Sequence, residues 1–253
     1  MQATIDWCEH NYALLNFIAE FWNTISGVAI AMSAFYFKYN YSYTFVIQHF
    51  KAVYYLLLLT SLGTILFHAT LLFPFQLLDE IPMLLLSMVY SNILRNLYLR
   101  TKVDNYWFQI IDKSQIPCYL MMLSIPYIYT IQSKLQILAF HTLLKIYETQ
   151  IVYMLYNIIN KIDTVFFDSL AQEFNINNYL KNRTKLTNCV YKGLLCYATS
   201  VSIWCLENLF CSALHNYQLH AVWHIISSIG IYQLNNILRL LYDIDQSIKR
   251  LEN

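Results

Sequence analysis

Four ionisable side chains stand where an apolar chain would be expected to hold none. His68 and Asp79 flank one short turn, and His220 and His224 lie four residues apart near the end of the sequence. Each falls within or at the edge of a segment greasy enough to span a membrane, where an ionisable group is costly and marks function by default. Histidines at i and i+4 project from one helical face about a turn apart, which lets two imidazoles reach one metal ion. His68 can add a third nitrogen, and three protein ligands with one open position for water describe a catalytic zinc site. Zinc lowers the pKa of such a water towards about 7, and Asp79 can take its proton as it attacks a carbonyl. Thr64, one turn before His68, can offer its hydroxyl to a developing oxyanion. A lipid amide or ester is the natural electrophile in this setting. Plainer readings exist for each residue alone: the histidine pair held by backbone carbonyls or hydroxyls, Asp79 as a helix N-cap, Thr64 bonded back to its own helix.

The elements that must position these residues follow from composition. Hydrophobic residues make up 58% of the 253 and charged residues 12%, with a mean hydropathy of +0.40, against roughly 25% charged in soluble domains. This composition is that of an integral membrane protein. Gly and Pro number four each, so long helices run with few breaks, and the alternating pattern of a membrane barrel is missing. The fold class is therefore all-α, a bundle of transmembrane helices. At about 20 apolar residues per crossing, seven spans are expected, at 18–37, 52–73, 77–98, 114–132, 136–158, 190–213 and 219–242, within a single membrane domain over 1–253. The first dozen residues hold Asp6 and Glu9 and no cation ahead of an apolar run, so no cleavable signal is expected and the first span must direct insertion.

Basic residues set the orientation. Lys38, Lys51, Arg95, Arg100, Lys102, Lys161, Lys181, Arg183, Lys185, Lys249 and Arg250 fall on one side, and Lys134 on the other. The N-terminus is thus expected in a lumen or outside and the C-terminus in the cytosol, or the matrix of a mitochondrion. Sequons at Asn40 and Asn182 lie on the positive side and should stay unmodified. In this topology Thr64 and His68 close the outward-running second span, Asp79 and Glu80 open the third, and His220 and His224 open the seventh. All converge in the outer third of the membrane, which favours the metal reading over the separate plainer ones. The stretch 160–189 carries Asp163, Asp168, Glu173, Lys181, Arg183 and Lys185 beside Val165, Phe166, Phe167 and Leu170. It reads as a polar loop insertion with a short amphipathic helix on the membrane surface or on a partner, or as a plain solvated insertion. Lys145 and Glu148 can pair at i and i+3. Either Glu207 or Glu80 can accept a hydrogen bond from a ligand histidine. Near the N-terminus Asp6, Glu9, Asn11 and Glu20, with the Trp7 carbonyl, offer hard oxygens that suit calcium, although Asp6 and Glu9 also fit a helix-start charge pattern.

Several segments together resemble the alkaline ceramidases: Thr64-Ile65-Leu66-Phe67-His68-Ala69-Thr70-Leu71, Gln76-Leu77-Leu78-Asp79-Glu80-Ile81-Pro82-Met83, Trp204 with Glu207-Asn208 and Cys211, and His220-Ala221-Val222-Trp223-His224, with Asp6-Trp7-Cys8-Glu9-His10-Asn11 and Glu20 at the start. The stretch from about 100 to 190 shows little of it. Those enzymes are seven-helix members of a superfamily of membrane hydrolases that includes the adiponectin receptors. The resemblance implies a zinc-dependent amidase cleaving the membrane lipid ceramide to sphingosine and a fatty acid. It implies zinc on His68, His220 and His224, Asp79 acting on the water, and calcium on Asp6, Trp7, Glu9, Asn11 and Glu20. It also implies a Cys8–Cys211 disulfide, for which the topology puts both cysteines on one side, and a location in endoplasmic reticulum or Golgi. The family's serine one turn before the first histidine is Thr64 here, which keeps the hydroxyl and adds a methyl group that would narrow the pocket or alter the rate. No nucleic-acid partner is expected. The alternative is a non-catalytic, ceramidase-like lipid-binding or structural subunit of a larger membrane complex, for instance in the mitochondrial inner membrane, docked through the 160–189 loop. A receptor role fits less well, because the charge bias sets the opposite orientation.

Overall fold

The computed structural model describes residues 2–40, 48–100, 133–169 and 176–252, together with Gln109 and Leu120. Among these, the helices are α1 (Phe21–Ser26), α2 (Val28–Asn40), α3 (Gln48–Thr70), α4 (Phe73–Arg100), α5 (Ser133–Ser169), α6 (Ile176–Leu214) and α7 (Leu219–Glu252). A short 3-10 turn, His215–Tyr217, joins the last two. No β-strand forms among the described residues, only isolated bridges such as Gln2 to Leu72.

Among the described residues, three stretches are long and apolar enough to cross a membrane: Phe50–Thr70, Phe73–Leu99 and Leu180–Tyr217. The span expected at 18–37 is a pair, α1 and α2, that meets at Gly27, and the one expected at 114–132 lies outside the described residues apart from Leu120. The polar loop expected over 160–189 is instead helical over 160–169 and 176–189, with 170–175 outside the described residues. At about 1.5 Å per residue, the 37 residues of α5 and 39 of α6 exceed what a hydrocarbon core of about 30 Å needs. Lys181, Arg183 and Lys185 therefore lie on helix rather than in a loop.

The corner between α3 and α4 does most to position the chemistry. Leu71 takes a left-handed conformation (φ 49°), its N–H closes on the Phe67 carbonyl, and α4 starts two residues later, so the helices run back antiparallel. Gly63 lets them approach closely: a Cβ there would lie 2.3 Å from the Leu78 carbonyl oxygen and 2.5 Å from the Asp79 nitrogen. Pro82, inside α4, lacks the N–H that would bond that same Leu78 carbonyl four residues back. Gly63 and Pro82 thus open and fill the same spot, beside Asp79.

The N-terminal segment is sewn to this corner through Ala3 N–H to Leu71 O (2.9 Å), Ala19 N–H to Ala69 O (3.0 Å) and Glu20 N–H to His68 O (2.9 Å). Thr4 and the Gln76 side chain exchange two further bonds. On the far side, α6 and α7 form a second antiparallel hairpin through Gln218 (φ 52°). Cys8 and Cys211 are joined by a disulfide with a Cα–Cα separation of 5.5 Å, tying the N-terminal segment to the end of α6. An apolar core around Leu57, Leu94, Leu238 and Leu241 holds the bundle towards its other end.

Candidate functional site

His68 comes from the last turn of α3, His220 and His224 from the first two turns of α7, and all three are at most 3% exposed. One ring nitrogen from each lies within 4.8 Å of the others, a grouping able to hold a metal ion. The other nitrogens are engaged. His220 Nδ1 lies 3.1 Å from Glu207 Oε2, and His68 Nδ1 bonds Glu20 Oε2. His224 Nδ1 is 2.7 Å from Ser26 Oγ. Ser26 gives its only proton to the Asn23 carbonyl at 2.9 Å, so towards His224 it must accept. Each imidazole therefore carries hydrogen on Nδ1 and leaves Nε2 as a bare lone pair. His68 Nε2 is buried with no hydrogen-bond partner; such a nitrogen is costly unless something electropositive meets it. The donor set and the orphaned lone pair both fit a cation such as zinc.

Asp79 stands beside this centre, one oxygen 2.6 Å from Thr64 Oγ1. That hydroxyl is also 2.9 Å from the Thr60 carbonyl. In this arrangement the one hydroxyl proton of Thr64 faces the Asp79 carboxylate and the Thr60 carbonyl rather than the oxyanion position expected of it. The methyl that distinguishes Thr64 from serine does not narrow the pocket at this point, since it packs on the bare face of Gly27, where a Cβ would be 3.1 Å from Thr64 Cγ2. Of the two candidate acceptors for a ligand histidine, Glu207 takes the role. Glu80 accepts from Gln76 Nε2 at 2.7 Å and so helps hold the N-terminal segment.

The residues expected to bind calcium divide. Asp6 is held by Asn11 Nδ2 at 3.1 Å. Glu9 accepts the N–H groups of Trp22 (2.7 Å) and Asn23 (2.9 Å) at the start of α1; burial pushes its carboxyl group up from the ordinary value while those two bonds pull it down. Glu20 reaches from the Trp7 N–H (3.0 Å) to His68 and Asn23, so the N-terminal segment and the histidine centre share one carboxylate. Lys145 and Glu148 pair at 2.7 Å, with Tyr197 donating to the same carboxylate at 3.0 Å. Ser26 had no sequence signal. Glu20 had one, a carboxylate inside an apolar span, but its partner could not be read from it.

Thr64, Asp79, His220 and His224 line a largely apolar cavity of about 460 Å³ that runs between α5, α6 and α7. Trp7 and Trp223 flank the His220 ring, with centroid distances of 3.7 and 5.2 Å and tilts of 24° and 22°. A nucleophile-generating centre at one end of an apolar cavity can act on a polar bond carried by a long hydrocarbon.

The chain is 24% identical over 242 residues to alkaline ceramidase 3 of Mus musculus, covering 91% of this chain and 80% of that protein. It is 26% identical to a putative alkaline ceramidase of Dictyostelium discoideum, with 91% and 83% covered, and 27% identical to alkaline ceramidase 1 of Homo sapiens, with 89% and 77% covered. The profile of the Ceramidase family matches residues 1–251, and the chain belongs to that family.

Proposed function

We propose that this chain is a zinc-dependent membrane amidase that hydrolyses ceramide to sphingosine and a fatty acid, within a bundle of seven transmembrane helices. The observation that carries the reading is the three-histidine grouping beside Asp79, opening into an apolar cavity. Family membership and the substrate named for its relatives support it. Zinc, when bound on His68, His220 and His224, supplies the Lewis acidity that makes water nucleophilic near neutral pH.

The chain's own residues do the rest. The cavity takes the two hydrocarbon chains and excludes bulk water. Asp79, aimed by Thr64, accepts the proton that the attacking water releases and returns it to the amide nitrogen as the C–N bond breaks. Glu20, Glu207 and Ser26 keep the three imidazoles in one tautomer and orientation.

Calcium is assigned to Asp6, Trp7, Glu9, Asn11 and Glu20, whose hard oxygens suit it. Because Glu20 also touches His68, a cation there would stiffen the segment lying over the centre. The charge bias of the connections supports a lumenal N-terminus and a cytosolic C-terminus, in endoplasmic reticulum or Golgi.

The test is metal analysis and ceramide hydrolysis on detergent-purified protein beside His220→Ala. About one zinc per chain and ceramide cleavage, both lost in the variant, are expected. Bound zinc with no turnover of any lipid amide would refute the enzyme reading and favour a non-catalytic subunit.

A further inference from the structure

Amide hydrolysis needs a hydrogen-bond donor where the carbonyl oxygen gathers negative charge, and Thr64 is already committed to Asp79 and Thr60. One donor near the centre has no acceptor among the described residues: the indole Nε1–H of Trp7 is buried and unpaired there. A buried N–H left without a partner costs about 1–3 kcal/mol, and native structures tolerate few of them. This one belongs to a residue that lines the cavity together with Thr64, Asp79, His220 and His224 and lies face to face on the His220 ring at 3.7 Å.

The residue is held from three directions. Its backbone N–H bonds Glu20 Oε1 at 3.0 Å, its neighbour Cys8 is disulfide-bonded to Cys211, and its ring rests on His220. A donor fixed in this way needs no reorganisation during the reaction, which is where such groups gain their effect.

We propose that Trp7 is a catalytic residue whose indole N–H donates to the substrate carbonyl oxygen as it becomes an oxyanion. The assignment rests on the amidase reading above. As the water oxygen bonds to the carbonyl carbon, its proton passes to Asp79 and the π pair moves onto the carbonyl oxygen, which Trp7 then holds. The pair returns as the C–N bond breaks and the nitrogen takes the proton from Asp79. Trp7 keeps its hydrogen throughout.

The test is Trp7→Phe, which preserves an aromatic face on His220 and the backbone carbonyl assigned to calcium while removing the donor. On ceramide, kcat should fall about 10²-fold, with KM within about twofold and zinc content unchanged. Trp223→Phe, which removes the other indole beside His220, should cost less than about fivefold. A second readout is direct. In protein labelled with 15N-tryptophan, the indole resonance absent from Trp7→Phe should move on adding a non-hydrolysable sulfonamide analogue of ceramide. Should Trp7→Phe not retain zinc, benzothienylalanine at position 7 keeps the bicyclic shape without the N–H and should show the same loss.

An active wild type with undiminished kcat in the zinc-loaded donor-less variant overturns the assignment of Trp7 alone. So does a Trp7 resonance unmoved by the analogue, or a larger loss in Trp223→Phe. A wild type that turns over no lipid amide refutes the amidase reading and this assignment with it.

Discussion

Gly63→Ala adds one methyl group and should nonetheless disable the site. The added carbon would lie 2.3 Å from the Leu78 carbonyl oxygen, 2.4 Å from its carbon and 2.5 Å from the Asp79 nitrogen. All three are backbone atoms, so no side chain can swing aside. Restoring an ordinary contact of about 3.4 Å requires α3 and α4 to part by roughly 1 Å, and overpacking of this kind costs about 1–3 kcal/mol. Helix propensity alone argues the other way, favouring Ala over Gly by about 1 kcal/mol; the steric conflict should win because it is with backbone. The same separation stretches the Thr64–Asp79 hydrogen bond from 2.6 Å to beyond a useful length, and a misplacement of about 1 Å can cost 10²-fold in rate. The histidines need not move, since His68 is anchored by Glu20 and the other two lie on α7. Ceramide turnover should therefore fall about 10²-fold at near-normal zinc content, with a lower thermal midpoint. Wild-type turnover and stability in Gly63→Ala would refute the close-approach argument outright.

Milder perturbations probe other joints. At Gly27 the two nearest atoms that an added Cβ meets are side-chain carbons of Ile65 and Thr64 at 3.0 and 3.1 Å, with the Thr24 carbonyl oxygen at 3.3 Å. Gly27→Ala should thus reduce turnover only several-fold, and adding Thr64→Ser, which deletes the opposing methyl, should restore much of it; additive losses in the double variant would contradict the packing. Ser26→Ala leaves His224 Nδ1–H without its acceptor and should weaken zinc binding by about 10- to 100-fold, read by competition with a chelator. Asp79→Asn retains a partner for Thr64 but cannot accept a proton, so zinc should stay while turnover drops about 10²- to 10⁴-fold, and an active variant would remove Asp79 from the chemistry. Stripping zinc should lower the thermal midpoint as well as abolish activity, because a ligand that binds only the folded chain stabilises it.

The parts of the site that are legible in the sequence are those in which an expensive residue type breaks an apolar pattern. His68, Asp79, His220 and His224 stand out because a membrane segment has no cheap use for them, and helical periodicity puts the last pair on one face. Glu20 stands out for the same reason, yet its partner is a histidine 48 residues away, a relation set by how α1 packs on α3. Ser26 is invisible by this logic, since a serine in an apolar helix is ordinary and usually bonds its own backbone. Ser26 does so, to Asn23, and only its second lone pair serves His224. Gly63 and Pro82 look like minor flaws in apolar runs until the two helices are laid side by side. The polar stretch 160–189 misleads in the opposite direction: its polarity reads as a loop, yet 160–169 and 176–189 are helical.

Charge accounting ties these pieces into one device. The three imidazoles set their Nδ1 atoms against Glu20, Glu207 and Ser26, so two carboxylates flank the histidine centre. A divalent cation held by the three histidines would offset carboxylates on their far side, the kind of pairing that makes buried charge tolerable. Asp79 then stands outside the balanced set, close enough to act and bonded only through one neutral hydroxyl among the contacts that define its position. It is the carboxylate whose charge can change during a reaction cycle without breaking a bond to a ligand histidine. The separation of tasks explains how a threonine, with its extra methyl group, can serve at position 64. The position needs one hydroxyl proton and a path for it between Asp79 and the Thr60 carbonyl, and Gly27 leaves room for the rest.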